Sequence, residues 1–270
     1  MSRYRMYSYS MIPAGATDRW HIKIYMCDTY APIVQECFPH VPFDFTRIEK
    51  GACETTIDLP MGDWARLRNL LELFKAHVIL KLNEHLKKHF SNELDQCFAL
   101  DFNYHLDDET QEKVYTRFGQ LEFHAKEFAE ESAIQELTAS MASFCNRHPL
   151  YNGIDAIAAV PPNPSKTFHL PSVLVERVAA MIGKPNGIRL VTKSQDTAKA
   201  QALPVDQKIP AIAKVLVIHP WVKGKRLLLI DDLYQSGSTI WTVARALKQA
   251  GAIQVLGLTC VKSWRDTDNQ

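Results

Sequence analysis

One stretch, residues 226–247, constrains the fold more than any other part of the chain. It reads RLLLIDDLYQSGSTIWTVARAL and begins with an uninterrupted apolar run from Leu227 to Ile230. Such a run is typical of a strand that is buried on both faces of a parallel sheet. From Thr242 to Leu247 the apolar residues follow helical spacing. The stretch therefore predicts a strand, a loop and a helix in an α/β fold.

The loop between this strand and this helix has the composition of an anion-binding site. Asp231 and Asp232 are expected at the carboxyl end of the strand. Small or polar residues then lead into the helix: Gln235, Ser236, Gly237, Ser238 and Thr239. Backbone N–H groups and the positive end of a helix dipole attract anions at such a point, and a glycine lets a ligand approach the backbone closely. We call residues 231–239 the Asp-Asp loop.

Two other interpretations of the Asp-Asp loop compete with ligand binding. A hydrophobic strand that ends in two acids is also typical of a Walker B segment, but no G-x-x-x-x-G-K-[ST] partner loop occurs in the 270 residues. A structural turn with an N-cap serine is the second alternative, and it would need only one acid and one hydroxyl. The Asp-Asp loop therefore predicts a functional site.

The N-terminal region, residues 1–95, is expected to be α+β and of unknown role. Alternation of Ile22, Ile24 and Met26 predicts a half-buried strand, and the prolines that follow, beginning with Pro32, predict loops. Apolar residues from Trp64 onward recur at three-four spacing, which predicts one amphipathic helix over residues 63–90 with Asp63 as its cap.

Basic residues cluster at the end of this predicted helix: Lys81, His85, Lys87, Lys88 and His89. Cations near a helix C-terminus are favourable in themselves, and that interpretation is preferred. The alternative is a basic patch for a single-stranded nucleic acid or another polyanion, although no aromatic ladder accompanies these cations. A DNA or protein partner for the N-terminal region stays open.

Residues 96–270 are expected to form the domain that contains the site. The predicted helices cover residues 121–146 and 171–182. The predicted strands, in addition to the one before the Asp-Asp loop, cover residues 97–104, 154–160, 187–192, 214–219 and 252–261. The strand at 154–160 runs into PPNPSKTF, where Ser165 and Lys166 bring a hydroxyl and a cation to a carboxyl end. Residues 193–208 form a largely polar run between predicted strands, which predicts a mobile loop.

Composition limits the classes of function. The formal net charge of +1 is too small to attract nucleic acid or a membrane through the charge of the whole protein. The 46% of hydrophobic residues is enough for a packed core. The six cysteines are scattered without a C-x-x-C pair, and the sequence has neither a signal-peptide pattern nor a long apolar span. These features predict a cytoplasmic protein without a membrane segment. The oligomeric state stays open, with a homodimer as one option.

The order of a hydrophobic strand, two aspartates and then Ser-Gly-Ser-Thr resembles the phosphoribosyl-pyrophosphate motif of type I phosphoribosyltransferases. The resemblance implies a parallel sheet flanked by helices. It also implies that Asp231 and Asp232 hold the ribose hydroxyls and a magnesium ion, and that the phosphate cradle consists of Tyr234, Gln235, Ser236, Gly237, Ser238 and Thr239. Lys166 would steady the departing pyrophosphate. Gln235 stands where purine-salvage members carry an aspartate.

The arrangement of the parts is similar to the ComF branch of this family. That branch has V-P-x-P followed by a basic segment, here residues 166–169, and then a flexible hood, here residues 193–208. The matching hood residues are Thr197, Gln201 and Lys208. The implied function is transfer of phosphoribose from phosphoribosyl pyrophosphate to an unknown nitrogenous acceptor. The alternative is a non-catalytic ligand sensor or DNA-uptake accessory protein that binds phosphoribosyl pyrophosphate or a nucleotide at the same loop.

Overall fold

The computed structural model describes residues 5–15, 18–49, 51–107, 109–197 and 203–264. The described chain divides into two compact units. The first comprises the chain up to Ile79 together with Asn146–Asn152, and the second comprises Leu80–Cys145 with the residues from Gly153 onward. The functional boundary predicted between residues 95 and 96 stays a prediction.

The first unit contains an antiparallel sheet of four strands in the order β1-β2-β4-β3. Its strands are β1 Tyr9–Pro13, β2 Arg19–Tyr25, β3 Thr46–Glu49 and β4 Ala52–Asp58, and the short β5 Val78–Ile79 follows later. Its helices are α1 Cys27–Cys37, α2 Met61–Ala76 and α5 Pro149–Asn152. Ile22 and Ile24 of β2 are fully buried, which agrees with the predicted alternation.

Two predictions for the first unit are wrong. Pro32 lies inside α1, because four apolar residues at helical spacing, Tyr30 to Cys37, are buried and outweigh one missing N–H. Helix α2 ends at Ala76 instead of reaching residue 90, and Pro60 is its N-cap in place of Asp63. The residues directly after α2 leave the helix because Val78 and Ile79 form a buried strand. Short apolar runs of this kind fit helix and strand patterns equally.

The second unit is built on parallel strands in the order β6-β13-β12-β9. These are β6 Gln96–Phe102, β9 Ala156–Ala159, β12 Arg226–Tyr234 and β13 Gln254–Lys262. Helices accompany them: α3 Arg117–Phe128, α4 Glu131–Arg147, α6 Leu170–Ile182, α7 Val205–Val215 and α8 Ser238–Gln249. Two short antiparallel pairs complete the unit: β7 Tyr104–Leu106 with β8 Lys113–Tyr115, and β10 Val191–Lys193 with β11 Leu216–Ile218. The predicted α/β fold with a parallel sheet and flanking helices is confirmed.

The apolar run of β12 occupies an interior position in this sheet. Leu227, Leu228, Leu229 and Ile230 have no exposed surface. Strand β12 pairs in parallel with β13 on one side and β9 on the other. The loops that follow β9 and β12 therefore leave the same edge of the sheet, and the backbone N–H of Val160 donates to the carbonyl of Ile230 at 2.9 Å.

Other predictions for the second unit need correction. The helix predicted over residues 121–146 is two helices, because Ala129 adopts a left-handed conformation with φ of 51°. Phe123 and Phe128, at the surface of α3, are 45% and 67% exposed. The strands predicted at 187–192 and 214–219 shorten to β10 and β11, which pair with each other outside the parallel sheet. The predicted loop over 193–208 ends earlier, since α7 begins at Val205.

The basic residues 81–89 do not lie at a helix C-terminus, because α2 ends before them. They surround a single 3₁₀ turn, Leu86–Lys88. Lys87 pairs with Glu84 at 2.7 Å, and His89 pairs with Asp206 at 2.8 Å. Local carboxylates therefore compensate part of the predicted positive patch. Within the described ranges, no helix has the length and apolar character needed to cross a membrane.

Candidate functional site

A cavity of about 670 Å³ opens at the carboxyl ends of β9 and β12. This volume is in the usual range for small-molecule sites. The nine residues predicted to bind ligand or metal or to act in catalysis all line it: Lys166, Asp231, Asp232, Tyr234, Gln235, Ser236, Gly237, Ser238 and Thr239. The structure brings them together from two loops that the sheet places side by side. Their roles in binding and catalysis stay predictions.

Hydroxyl groups fix the Asp-Asp loop where it meets α8. The Ser236 hydroxyl accepts from the Ser238 N–H at 3.2 Å and lies 3.1 Å from the Ser238 hydroxyl. Thr242 donates to the Ser238 carbonyl at 2.7 Å. Ser236 and Ser238 are both buried, while Gln235 is exposed. The N-terminus of α8 and its N–H groups thus border the cavity in a fixed loop, which suits an anion.

Gly237 has a structural role in addition to the predicted one, which stays a prediction. It is the N-cap of α8 with φ of 89°, a left-handed conformation that L side chains disfavour. A Cβ at this position would overlap ring atoms of Tyr234. The Tyr234 ring is buried, and its hydroxyl accepts from the Trp241 indole N–H at 3.1 Å. The absent side chain therefore makes room for Tyr234, which supports the loop from within the protein.

The two aspartates are in different electrostatic environments. Lys126 on α3 lies 2.9 Å from Asp232 Oδ2 and 3.3 Å from Glu122 Oε1. Burial disfavours the charge of Asp232, but Lys126 outweighs it and the pKa of Asp232 is lowered. Burial, and then the adjacent Asp232, raise the pKa of Asp231 well above its ordinary value. The pair thus favours one ionised and one protonated carboxyl group.

Cations outnumber carboxylates in the cavity lining. Lys126, Lys166, Lys193 and Lys208 line it along with the two aspartates. Lys193 is partly desolvated, and this burial lowers its pKa. The excess of positive charge favours a ligand with several negative charges, such as a phosphate ester or a pyrophosphate.

Asn163 joins the loop after β9 to the beginning of the predicted hood. Its Oδ1 accepts from Lys193 Nζ at 3.1 Å, from the Thr197 N–H at 3.1 Å and from the Thr197 hydroxyl at 2.9 Å. Asp196 accepts from the Ser165 N–H at 3.1 Å across the same junction. Of the predicted hood residues, Lys208 lines the cavity, Thr197 is held by Asn163, and Gln201 lies outside the described residues.

His169 is a neutral polar group at the wall of the cavity. It is the N-cap of α6, where its Nδ1 accepts from the Ser172 N–H at 3.3 Å. Burial lowers its pKa to about 4, although Asp232 acts in the opposite direction. The imidazole therefore carries no charge at neutral pH, and its Nδ1 is the acceptor that caps α6.

Replacement of His169 by asparagine is expected to flatten the acid side of the stability profile. Because the pKa is about 6.5 in the unfolded chain and about 4 in the folded protein, the unfolded state takes up the proton first as the pH falls. The wild type should lose up to about 3 kcal/mol of stability between these values through this group. Asparagine also caps helices, so α6 should persist. Urea unfolding of both proteins from pH 7 to 4 measures the difference; parallel profiles would contradict it.

The aspartate pair fits a magnesium ion only together with a ligand. Carboxylate oxygens are suitable donors, but magnesium completes its octahedron with phosphate oxygens and water at sites of this kind. Within the described part of the chain, no group of three or more histidine, cysteine or acidic side chains could hold a metal ion. The chain alone thus offers two carboxyl groups here, one of them already paired with Lys126.

Sequence reasoning missed Lys126, Asn163 and Lys193. Lys126 lies within α3, and its partner Asp232 is distant in the sequence, so no local pattern connects them. Asn163 is part of PPNPSKTF and Lys193 begins the hood, but their mutual hydrogen bond depends on the fold. The only local signal for Lys126 was its spacing of four residues from Glu122, which predicts a pair on one helix face.

Comparison with known proteins gives partial similarity. No protein-family model matches the chain. Over 71 residues the chain is 34% identical to a ribose-phosphate pyrophosphokinase of Chlorobaculum tepidum and 35% identical to ribose-phosphate pyrophosphokinase 1 of Listeria monocytogenes. Each match covers 26% of this chain and 22% of the relative. The chain thus spans about a fifth of the length of the curated relatives it matches, and its homology to them is weak and partial.

Proposed function

We propose that the cavity binds phosphoribosyl pyrophosphate or a nucleoside phosphate, and that the chain transfers phosphoribose to a nitrogenous acceptor with release of pyrophosphate. The observation that supports this most is the shared cavity of an aspartate pair, a hydroxyl-rich loop at a helix N-terminus and four lysines. Each group matches one part of such a ligand. The fold proposed is that of a type I phosphoribosyltransferase, in its ComF-like branch.

The sugar is assigned to Asp231 and Asp232. An ionised carboxylate accepts hydrogen bonds from hydroxyl groups, and bonds to a charged acceptor are stronger than neutral ones. The ribose 2- and 3-hydroxyls are adjacent, as the two carboxyl groups are. The 5-phosphate is assigned to residues 235–239, because the N–H groups of a helix N-terminus and hydroxyl side chains are the donors that a phosphate requires.

The pyrophosphate is assigned to the lysines. Lys166 and Lys208 both line the cavity, and Lys193 is held beside them by Asn163. Their positive charge would stabilise the negative charge that develops on pyrophosphate as its bond to the anomeric carbon breaks. A magnesium ion, when bound with the ligand, would add further positive charge at the same oxygens.

The reaction then requires an acceptor nitrogen at the anomeric carbon. As the bond to pyrophosphate breaks, positive charge develops on the sugar, and the nearby carboxylate of Asp232 would stabilise it. Closure of the hood would exclude water that otherwise competes with the acceptor. Gln235 is exposed and is not an acid, so no carboxylate assists the acceptor from this position.

The partial relatives support this choice of ligand. Their name, ribose-phosphate pyrophosphokinase, describes proteins that act on ribose phosphate and pyrophosphoryl groups. Gln235 supports a second candidate, in which the loop holds the same ligand as a signal without catalysis. A phosphate-binding loop serves a sensor and a catalyst alike.

Calorimetric titration tests the proposal directly. The purified protein is titrated with phosphoribosyl pyrophosphate, ribose 5-phosphate, AMP and pyrophosphate, each with and without magnesium. We expect phosphoribosyl pyrophosphate to bind most tightly, with higher affinity in magnesium, because it engages all three groups of the cavity. No heat with any of the four ligands would contradict the proposal.

A turnover assay separates the two candidates. Pyrophosphate release from phosphoribosyl pyrophosphate is followed in the presence of a panel of purine, pyrimidine and simple nitrogen acceptors. Release with one acceptor supports the transferase. Tight binding without release across the panel supports the sensor, and formation of phosphoribosyl pyrophosphate from ATP and ribose 5-phosphate would assign the kinase reaction instead.

A further inference from the structure

In the described part of the chain, the pair Asp231 and Asp232 forms one ion pair, and its cation is Lys126. Its ammonium group lies 2.9 Å from Asp232 Oδ2 and 3.3 Å from Glu122 Oε1. Glu122 is only 8% exposed, and it stands one helical turn before Lys126 on α3. The ammonium group is thus held between two carboxylates at the wall of the cavity, in a position fixed by α3.

Both oxygens of Asp232 already have a donor. Oδ1 accepts from the Leu233 N–H at 2.8 Å, and Oδ2 accepts from Lys126. A divalent ion bound to Oδ2 would lie within a few ångströms of the ammonium group. The repulsion between these two cations is strong in a partly buried site, because solvent screens it weakly. A hydroxyl group meets no such repulsion and can use a remaining lone pair.

We propose that Lys126 is the resident cation of the aspartate pair, which keeps divalent ions away from Asp232 and leaves that carboxylate for a hydroxyl group of the ligand. Lys126 is then a positioning residue, and Glu122 orients it. The identity of the hydroxyl as a ribose hydroxyl rests on the proposed function. The exclusion of metal does not, and it can be tested on the protein alone.

The proposal changes the metal assignment made from the sequence. Asp232 is not a direct ligand of magnesium, and any magnesium that supports binding arrives with the phosphate oxygens of the ligand. Magnesium should therefore raise the affinity for pyrophosphate compounds and leave the affinity for ligands without a pyrophosphate nearly unchanged. The ligand-free protein should bind divalent ions only weakly at the aspartate pair.

Manganese binding to the ligand-free protein tests this proposal. The free Mn²⁺ signal in electron paramagnetic resonance gives the affinity of the wild type and of Lys126→Met, Lys126→Arg and Lys166→Met. We expect Lys126→Met to bind Mn²⁺ at least tenfold more tightly than the wild type. Lys126→Arg keeps a cation in place and should resemble the wild type. Lys166→Met removes an equal charge from the same cavity without touching Asp232, so its effect should be smaller.

A second substitution identifies the carboxylate. Adding Asp232→Asn to Lys126→Met should remove the gained affinity. The proposal is overturned if Lys126→Met binds Mn²⁺ no better than the wild type or than Lys166→Met. If Lys126→Met does not fold, the wild type and Asp232→Asn decide the matter: equal Mn²⁺ affinity supports the proposal, and a loss in Asp232→Asn overturns it. These readouts involve no sugar phosphate, so they stand even if phosphoribosyl pyrophosphate does not bind.

Discussion

The double variant Asp231→Asn with Asp232→Asn should lose about a hundredfold in affinity for phosphoribosyl pyrophosphate. A hydrogen bond to the charged Asp232 contributes about 1.5–3 kcal/mol and one to the protonated Asp231 about 0.5–1.5 kcal/mol, so the loss of both gives an effect of this order. The loss should be smaller for inorganic pyrophosphate, which has no sugar to engage the pair. Calorimetry with both ligands measures the two affinities under one set of conditions.

The fold of the double variant should persist. The pKa of Asp231 is raised by burial and then by Asp232, so the folded protein holds this proton more tightly than the unfolded chain does. The protonated Asp231 therefore contributes less to stability as the pH rises above the ordinary carboxyl range. Asparagine has no proton to lose, so the double variant avoids this loss of stability at neutral pH. Asp206→Asn, at an acid outside the cavity lining, is the matched control. Equal affinities of the double variant and the control would show that the sugar binds elsewhere.

The strand, the Asp-Asp loop and α8 could be predicted from sequence because each depends on local information. Four consecutive apolar residues predict a strand that is buried on both faces. The small and polar residues that follow it predict a loop, and the apolar spacing after that loop predicts α8. The loop after β9 follows a similar apolar run, and it lies beside the Asp-Asp loop because neighbouring parallel strands end at the same edge of a sheet. These local features bring together all nine predicted site residues.

The wrong predictions of helix boundaries have a common cause: the same sequence pattern is compatible with more than one local structure. Val78 continues the three-four spacing of α2, yet it forms a short strand with Ile79, and both residues are buried. Ala129 carries no sequence signal for its left-handed conformation, so the break between α3 and α4 could not be predicted. An alanine is normally a strong helix former, and here tertiary structure overrides that preference.

The electrostatics of the site could not be predicted, because they depend on pairs that are distant in the sequence. Burial raises the pKa of Asp232, and Lys126 lowers it from a helix that precedes β9. Asn163 holds Lys193 and Thr197 through one oxygen. The sequence indicated the types of residue that we propose to contact a sugar phosphate, whereas the residues that orient them and set their charge required the three-dimensional arrangement.

Replacement of Gly237 by alanine should destabilise the protein by about 2–5 kcal/mol and abolish ligand binding. Two costs combine at this position. The left-handed backbone, with φ of 89°, costs an L residue about 1–2 kcal/mol, and the overlap of a Cβ with the Tyr234 ring adds about 1–3 kcal/mol. Relief of the overlap would shift Tyr234 or the beginning of α8, and either shift would displace the N–H groups that we propose to bind phosphate.

Gly183→Ala separates these two costs. Gly183 ends α6 with φ of 66°, and a Cβ there would meet no atom within 4 Å. This control should lose only the backbone cost of about 1–2 kcal/mol, and ligand affinity should not change. Urea unfolding and calorimetry of both variants measure the difference. Similar losses of stability in the two variants would mean that the Tyr234 ring moves aside without cost; retention of wild-type affinity by Gly237→Ala would mean that the loop does not need its observed geometry to hold the phosphate.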